Sequence, residues 1–600
     1  MSTVKGRSFR FQVWAPVSEG VTLHVVSPVE RKVAMEKNDF GHFSLTLHDV
    51  IPGTRYFYIL DDGTDLPDPA SHYQPEGVHG PSEIVFHDRF EWKDQLWSGY
   101  PLRELIIYEL HTGTFTDEGT FDGIISRLDD LAEMGINSIE VMPVAQFPGN
   151  RNWGYDGVFP YAVQNSYGGP EGLKRLVNAC HLKGIAVILD VVYNHLGPEG
   201  NYFGRYGHYF TDAYHVPWGD AINFDHEWSD GVREYFLDNV SHWFENYRID
   251  GLRLDAIHTI FDSSGTHILE AFNLRADNLR KKLGRPLFLI AESDLNDPKV
   301  VRHPKTGGYG FDAQWLDDFH HALYVLLDPK GVRRYRDFGR IEQLAKAYTH
   351  GFVFSGEYVD FRKRRYGKSS AGISGERFVV FINNHDQIGN RVRGERLAQL
   401  TDFERLKLGV AALLLSPYVP MLFMGEEYGD DVPFQYFISH SDPALIEAVR
   451  EGRKKEFAEY KDESEPEDAY AEKTFSDCKL NWSKRKEGKH NILLQWHKRL
   501  IDLRKNHPIL CNYEKASIQA YVINQQALAL YRESPDGRDS MYCVFNFSDR
   551  PIAWSLPDGE WHRLLESSVF PGIDTGNVVS GEVSIAPASA AVYSTMQSPA

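Results

Sequence analysis

Hydrophobic positions alternate with polar ones from Phe9 to about Phe90 in four short runs, FRFQVWA, VTLHVV, HFSLTL and RYFYIL, separated by Pro, Gly and Asp. A period of two puts successive side chains on opposite faces of a strand, so this stretch predicts a β-sandwich. Residues 66–80 (LPDPASHYQPEGVHG) hold too many Pro and Gly for a regular element and read as an irregular loop leading towards a linker at 97–102.

Beyond residue 102 the pattern changes. Apolar runs of strand length (LIIYEL, SIEVMPV, AVILDVV, GLRLDA, LFLIAE, FVVFINN and VPMLFM) alternate with helical periodicity, as at 124–134, 172–183, 232–247 and 268–283. Strand then helix, repeated about eight times, predicts the α/β class and a parallel sheet closed into a (β/α)8 TIM barrel. A doubly wound open sheet is the rival. No GxGxxG follows the first strand, and polar residues collect at strand C-termini all round the series, which favours the barrel. The most apolar stretch, 409–425, is interrupted by Ser416, Pro417 and Pro420 and suits a buried helix running into a strand better than a membrane span. Dense alternating charge at 450–473 reads as an insertion made of a solvated helix and a mobile loop. A helix at 492–505 should close the barrel, and ALALYRE, MYCVFNFS and VSIA return to strands. The expected division is therefore an immunoglobulin-like sandwich at 1–100, a barrel at 101–510 and a C-terminal all-β domain at 511–600.

Composition narrows the partners. A formal charge of −20 opposes nucleic acid and anionic membrane, which both need a basic footprint. Cys180, Cys478, Cys511 and Cys543 are scattered without CxxC spacing, so reduced thiols are expected rather than a zinc knuckle or a disulfide framework. No long apolar stretch precedes the first strand, and the expected location is cytoplasmic.

Four segments end barrel strands with polar groups, where a barrel's active site lies: 190–195 (DVVYNH), 251–258 (GLRLDAIH), 291–294 (AESD) and 383–387 (NNHDQ). In this order they resemble the signature regions of the α-amylase superfamily, glycoside hydrolase family thirteen. The resemblance implies that Asp255 is a nucleophile, Glu292 a general acid/base and Asp386 a third carboxylate, with Tyr155, His195, Arg253 and His385 lining a sugar subsite. The residue types suit that chemistry. A retaining glycosidase needs two carboxyls about 5 Å apart, one ionised to attack and one protonated to release the leaving oxygen. Arg253 lies two residues before Asp255, on the same side of a strand, and can pair with it. Glu292 follows LFLIA, where partial burial raises a carboxyl's pKa. Asp190 begins the first segment and is a further candidate for substrate binding. His258, three residues after Asp255, is a candidate for the leaving-group side, and Trp153 is either a stacking platform or a core tryptophan. Many α-amylases hold calcium near the first region, and Asn194 could be a remnant of such a site. No carboxylate cluster with hard-cation spacing surrounds it, so no required metal and no cofactor are expected.

Val13-Trp14-Ala15-Pro16 looks like the N-terminal carbohydrate-binding-type module of branching enzymes and isoamylases. LPDPASHYQP, NNHDQIGNR at 383–391 and GEEYG at 425–429 followed by Pro433-Phe434 resemble the maltooligosyltrehalose trehalohydrolases. That resemblance implies maltooligosyl trehalose and related α-glucans as substrates. A glycogen branching enzyme or isoamylase-like enzyme is the alternative within the superfamily. A carbohydrate-binding protein that has lost its chemistry is the alternative outside enzymes, and the presence of all three carboxylates argues against it.

Overall fold

The computed structural model describes residues 7–333, 335–457, 465–571 and 577–596. Eight strands, β1 (Ile107–Leu110), β2 (Ser138–Val141), β3 (Ala186–Val191), β4 (Gly251–Leu254), β5 (Phe288–Ala291), β6 (Ala313–Trp315), β7 (Phe378–Val380) and β8 (Val419–Phe423), pair in that order, and β8 returns to β1. Neighbouring pairs are parallel throughout. A parallel barrel is covered on both faces, which is why its strands read as nearly continuous apolar runs.

Two departures from the sequence pattern have local causes. β6 is only three residues long and carries no run that periodicity could register. The stretch 124–134 forms two helices, Phe121–Ile125 and Leu128–Met134. Ser126 breaks them, because its hydroxyl turns back to the Gly123 carbonyl at 2.7 Å and competes with the helical ladder.

Inside the barrel, Ile107, Ile188, Phe288, Ile290, Ala313, Val379 and Met421 fill the lower layers. Two residues further along their strands, on the same inward side, stand Glu109, Asp190 and, from β4, Arg253. Glu140 of β2 lies beside Glu109 in register, and Asp190 lies beside Arg253. The uppermost layer of the interior is therefore charged.

The N-terminal strands form two sheets. Arg7–Trp14 pairs antiparallel with His42–Val50, and Thr22–Ser27 pairs antiparallel with Arg55–Ile59. Trp14 docks this sandwich on the barrel, edge-on to Tyr209 with ring centroids 5.2 Å apart. It lies so close to Gly231 that a Cβ there would come within 2.3 Å of the indole. The linker is anchored by Trp97, which stacks on His181 at 4.5 Å and donates to Asp250 Oδ1 at 2.8 Å.

The 450–473 insertion begins within the helix Pro443–Phe457, and residues 458–464 of it lie outside the described residues. All four cysteines are free thiols. Among the described residues no helix is long and apolar enough to cross a membrane.

After the helix Gly488–Asn506 come the strands of the C-terminal sheets, including Ile518–Asn524, Ala527–Glu533, Ser540–Asn546 and Ser589–Ser594. Arg532, 1% exposed, joins this region to the barrel. It donates to the carbonyls of Leu415 (2.8 Å), Ser416 (3.1 Å), Leu510 (3.1 Å) and Asn512 (2.7 Å). Burial lowers its pKa to about 10. Replacing it with methionine fills the volume but leaves these carbonyls without their donor. Arg532→Met should cost about 3 kcal/mol or more, read by urea denaturation, with activity at 25 °C retained. A loss below about 1 kcal/mol would show that water replaces the guanidinium.

Candidate active site

Arg253 sits at the centre of the charged layer and is fully buried. Its Nη1 donates to Asp190 Oδ1 and Oδ2 at 2.9 and 2.8 Å and to Asp255 Oδ1 at 3.0 Å; its Nη2 donates to Glu292 Oε2 at 2.9 Å. The guanidinium lies over the Trp315 ring, 4.1 Å from its centroid. Asp190 belongs to β3, while Asp255 and Glu292 stand one residue past β4 and β5. The parallel ladder continues through both: Asp255 N donates to Val191 O (3.1 Å), Glu292 N to Leu254 O (3.0 Å) and Ile257 N to Glu292 O (3.0 Å). Backbone pairing thus fixes the two carboxyls before any side-chain contact is made. Ala256 then turns sharply with φ 38°, and its N–H meets Glu292 Oε2 at 2.8 Å.

Three carboxyls crowd one guanidinium. Burial pushes Asp190 up to about 7 against the pull of Arg253. Burial likewise raises Glu292, with Arg253 opposing. Among the described residues, the Arg253 guanidinium and the Ala256 N–H both meet Oε2 of Glu292. Asp255 is held at both oxygens, by Arg253 at Oδ1 and by Asn194 Nδ2 at Oδ2 (2.7 Å). Asn194 also donates to the Asp255 carbonyl at 2.8 Å, so it positions this carboxylate.

The opposite wall is built on Tyr155 and His385. Tyr155 Oη donates to Asp190 Oδ2 at 2.6 Å and lies 2.8 Å from His385 Nε2. Glu109 clamps His385 from below, with Oε1 2.5 Å from Nδ1 and Oε2 accepting the backbone N–H at 3.1 Å. Burial opposes the imidazolium, but the charges of Asp386 and Glu109 outweigh it and push His385 up to about 9. Asp386 is the second residue of the short helix His385–Gly389, capped by Asn384, and its side chain is 38% exposed with Oδ1 3.6 Å from His385 Nε2. His195 donates from Nε2 to Tyr155 O at 3.0 Å, and burial lowers its pKa to about 4, so it is neutral. Its ring stacks face to face on the half-exposed Trp218, 4.0 Å between centroids. His258 Nδ1 accepts from the Asp294 N–H at 3.3 Å.

The fold thus brings Asp255, Glu292, Asp386, Arg253, Tyr155, His195, His385 and His258 to one end of the barrel. Two expectations need correction. Trp153 is 4% exposed, wedged against Phe434, Tyr436 and His385, and offers no open face to a sugar. Asp190 is 2% exposed and its oxygens are taken by Arg253 and Tyr155, so it supports the site rather than touching substrate. Glu109 and Trp218 were missed. An acid inside the apolar run LIIYEL was a usable signal for Glu109, whereas nothing marks Trp218 before its hairpin places it.

A closed parallel barrel whose neighbouring strand ends hold two carboxyls on one guanidinium defines an α-amylase-type glycoside hydrolase. The family models agree: alpha amylase, catalytic domain, matches residues 84–216, and carbohydrate-binding module 48 (isoamylase N-terminal domain) matches residues 2–72. The chain is 49% identical over 511 residues to the malto-oligosyltrehalose trehalohydrolase of Saccharolobus solfataricus, covering 84% of this chain and 88% of that one. It belongs to the malto-oligosyltrehalose trehalohydrolase family. A crystal structure described as a candidate alpha amylase from Salmonella typhimurium superposes with TM-score 0.89 at 37% identity, covering 99% of each chain. A 1,4-alpha-glucan branching enzyme from Pseudoalteromonas atlantica is 24% identical, covering 90% of this chain and 72% of that one.

The Glu109 clamp has a measurable consequence. Glu109→Gln removes a charge that raises His385, so the imidazole pKa, followed by NMR of labelled histidine, should fall well below about 9. With its orienting partner weakened, kcat/KM should drop about 10- to 100-fold. An unchanged histidine titration would remove Glu109 from this role.

Proposed function

We propose that this chain is a retaining glycoside hydrolase that cleaves the α-1,4 bond beside the terminal trehalose of maltooligosyl trehalose. The observation that carries the reading is the shared guanidinium of Arg253, seen in a chain 49% identical to a trehalohydrolase. Two carboxyls that share one planar donor on neighbouring strand ends suit a retaining enzyme, which needs them about 5 Å apart. Asp255 attacks the anomeric carbon while Glu292 Oε1 gives its proton to the glycosidic oxygen, so trehalose leaves. Water then attacks the glycosyl-enzyme, giving its proton to Glu292, and the oligosaccharide is released with its anomeric configuration retained. Asp386 and the imidazolium of His385 hold sugar hydroxyls as the ring flattens. In this reading the enzyme works in cytoplasmic trehalose synthesis, in keeping with its unpaired thiols.

The acid role fixes the sign of the pH response. Glu292 is raised, so its proton is present at low pH and lost as pH climbs through the elevated value. kcat/KM should therefore fall on an alkaline limb whose apparent pKa lies above an ordinary glutamate's. Glu292→Gln should abolish that limb and cut hydrolysis of natural glucans by about 10²-fold or more, with smaller losses on glycosyl fluorides, whose leaving group needs no proton. Equal losses on both substrates would assign the proton elsewhere.

Substrate choice is the second test. Polar groups shaped for the α-1,1-linked sugar are left unpaired by an ordinary reducing end, and such mismatches discriminate by about 10⁴ or more. Trehalose should be released from maltooligosyl trehalose with a kcat/KM far above that for a plain maltooligosaccharide of equal length, the new reducing end appearing as the α-anomer. Comparable rates on both, or α-1,6 branches made from amylose, would replace this reading with that of a general amylase or a branching enzyme.

A further inference from the structure

Three histidines that belong to none of the catalytic segments meet where the N-terminal region rests on the barrel. His72 lies in the irregular LPDPASHYQP loop, His87 in the short turn His87–Arg89 before the linker, and His242 in the helix Ser229–Asn246 that leads into β4. Their ring centroids form a triangle with sides of 4.5, 5.0 and 5.4 Å, and one ligating nitrogen from each lies within 4.8 Å of the other two.

We propose that His72, His87 and His242 form a binding site for a divalent transition metal ion, zinc(II) in the first place, that ties the N-terminal loop to this barrel helix. The donor set is entirely imidazole, which suits zinc, copper or nickel and not calcium or magnesium, whose ligands are oxygens. It therefore differs from the oxygen site that the sequence gave reason to discount. Zinc–nitrogen bonds of about 2.0 Å put ligand atoms about 3.4 Å apart in a tetrahedron, so the rings must close by little more than an ångström. Three protein ligands leave a fourth position for water.

Two features point to a ligand rather than to a closed hydrogen-bonded trio. His87 Nδ1 and the Tyr247 hydroxyl are buried with no hydrogen-bond partner, and the Tyr247 ring lies 5.3 Å from both His87 and His242. Buried polar atoms rarely stay unpaired, and each such atom calls for an explanation. The Nε2–H of His242 donates to the Tyr161 carbonyl at 3.1 Å, the kind of outer bond that fixes the tautomer of a ligating histidine. Three interactions oppose binding. The His72 Nδ1–His87 Nε2 contact at 3.0 Å must open, Asn246 Nδ2 must release His242 Nδ1, which it meets at 3.1 Å, and Lys174, whose ammonium donates to the His87 carbonyl at 3.3 Å, repels a dication. These predict affinity in the micromolar range rather than that of a zinc finger.

The test uses untagged full-length protein, stripped with a chelator and dialysed free of it, then titrated with zinc(II) against a chromophoric competitor. One equivalent should bind per chain, and the melting temperature should rise by about two degrees or more at saturation. Cobalt(II) in its place should show the visible spectrum of a four-coordinate nitrogen site. His72→Gln and His87→Gln, both at partly exposed positions, should each weaken binding at least about tenfold and leave hydrolysis in metal-free buffer unchanged. No zinc bound at micromolar concentration, or both variants binding as tightly as the wild type, overturns the proposal and leaves a neutral hydrogen-bonded trio. Neither outcome bears on the hydrolase reading, which is tested by substrate alone.

Discussion

A single buried guanidinium organises this protein's chemistry. Arg253 carries one positive charge and is asked to satisfy Asp190, Asp255 and Glu292 at once. It cannot neutralise all three, and burial makes every uncompensated charge expensive. Burial raises Asp190 and Glu292 against the pull of the arginine.

The same constraint extends into the barrel. Glu140 is 1% exposed, its carboxyl oxygens have no hydrogen-bond partner, and burial with the neighbouring Glu109 charge holds its pKa far above the ordinary range. Glu109 itself pairs with His385. The charged layer rests on the apolar layers of Ile107, Ile188 and Phe288 beneath it.

The appended β regions are coupled to this core by contacts of different kinds. Trp14 against Gly231 is a packing contact, set by the absence of a Cβ and sensitive to volume. Arg532 is a hydrogen-bonded contact, one cation spread over four carbonyl dipoles with no carboxylate partner. Neither contact supplies a group to Arg253.

The linear sequence determined the strand-and-helix alternation, because buried parallel strands and amphipathic helices each impose a local period. It also marked the strand ends where Asp255, Glu292 and Asp386 stand, since polar residues closing apolar runs are a local signal. It did not register β6, whose three residues are too few for a period, or separate the helices on either side of Ser126. It read Asp190 and Trp153 as substrate-facing, because sequence position gives the element and not the direction of exposure. Only the closed barrel decided that Asp190 is consumed by Arg253 and Tyr155, and that Glu109, 276 residues from His385, lies beneath it. The three histidines at 72, 87 and 242 belong to the same class. Charge pairing and burial act between residues that are neighbours only after folding, and no pattern along the chain records them.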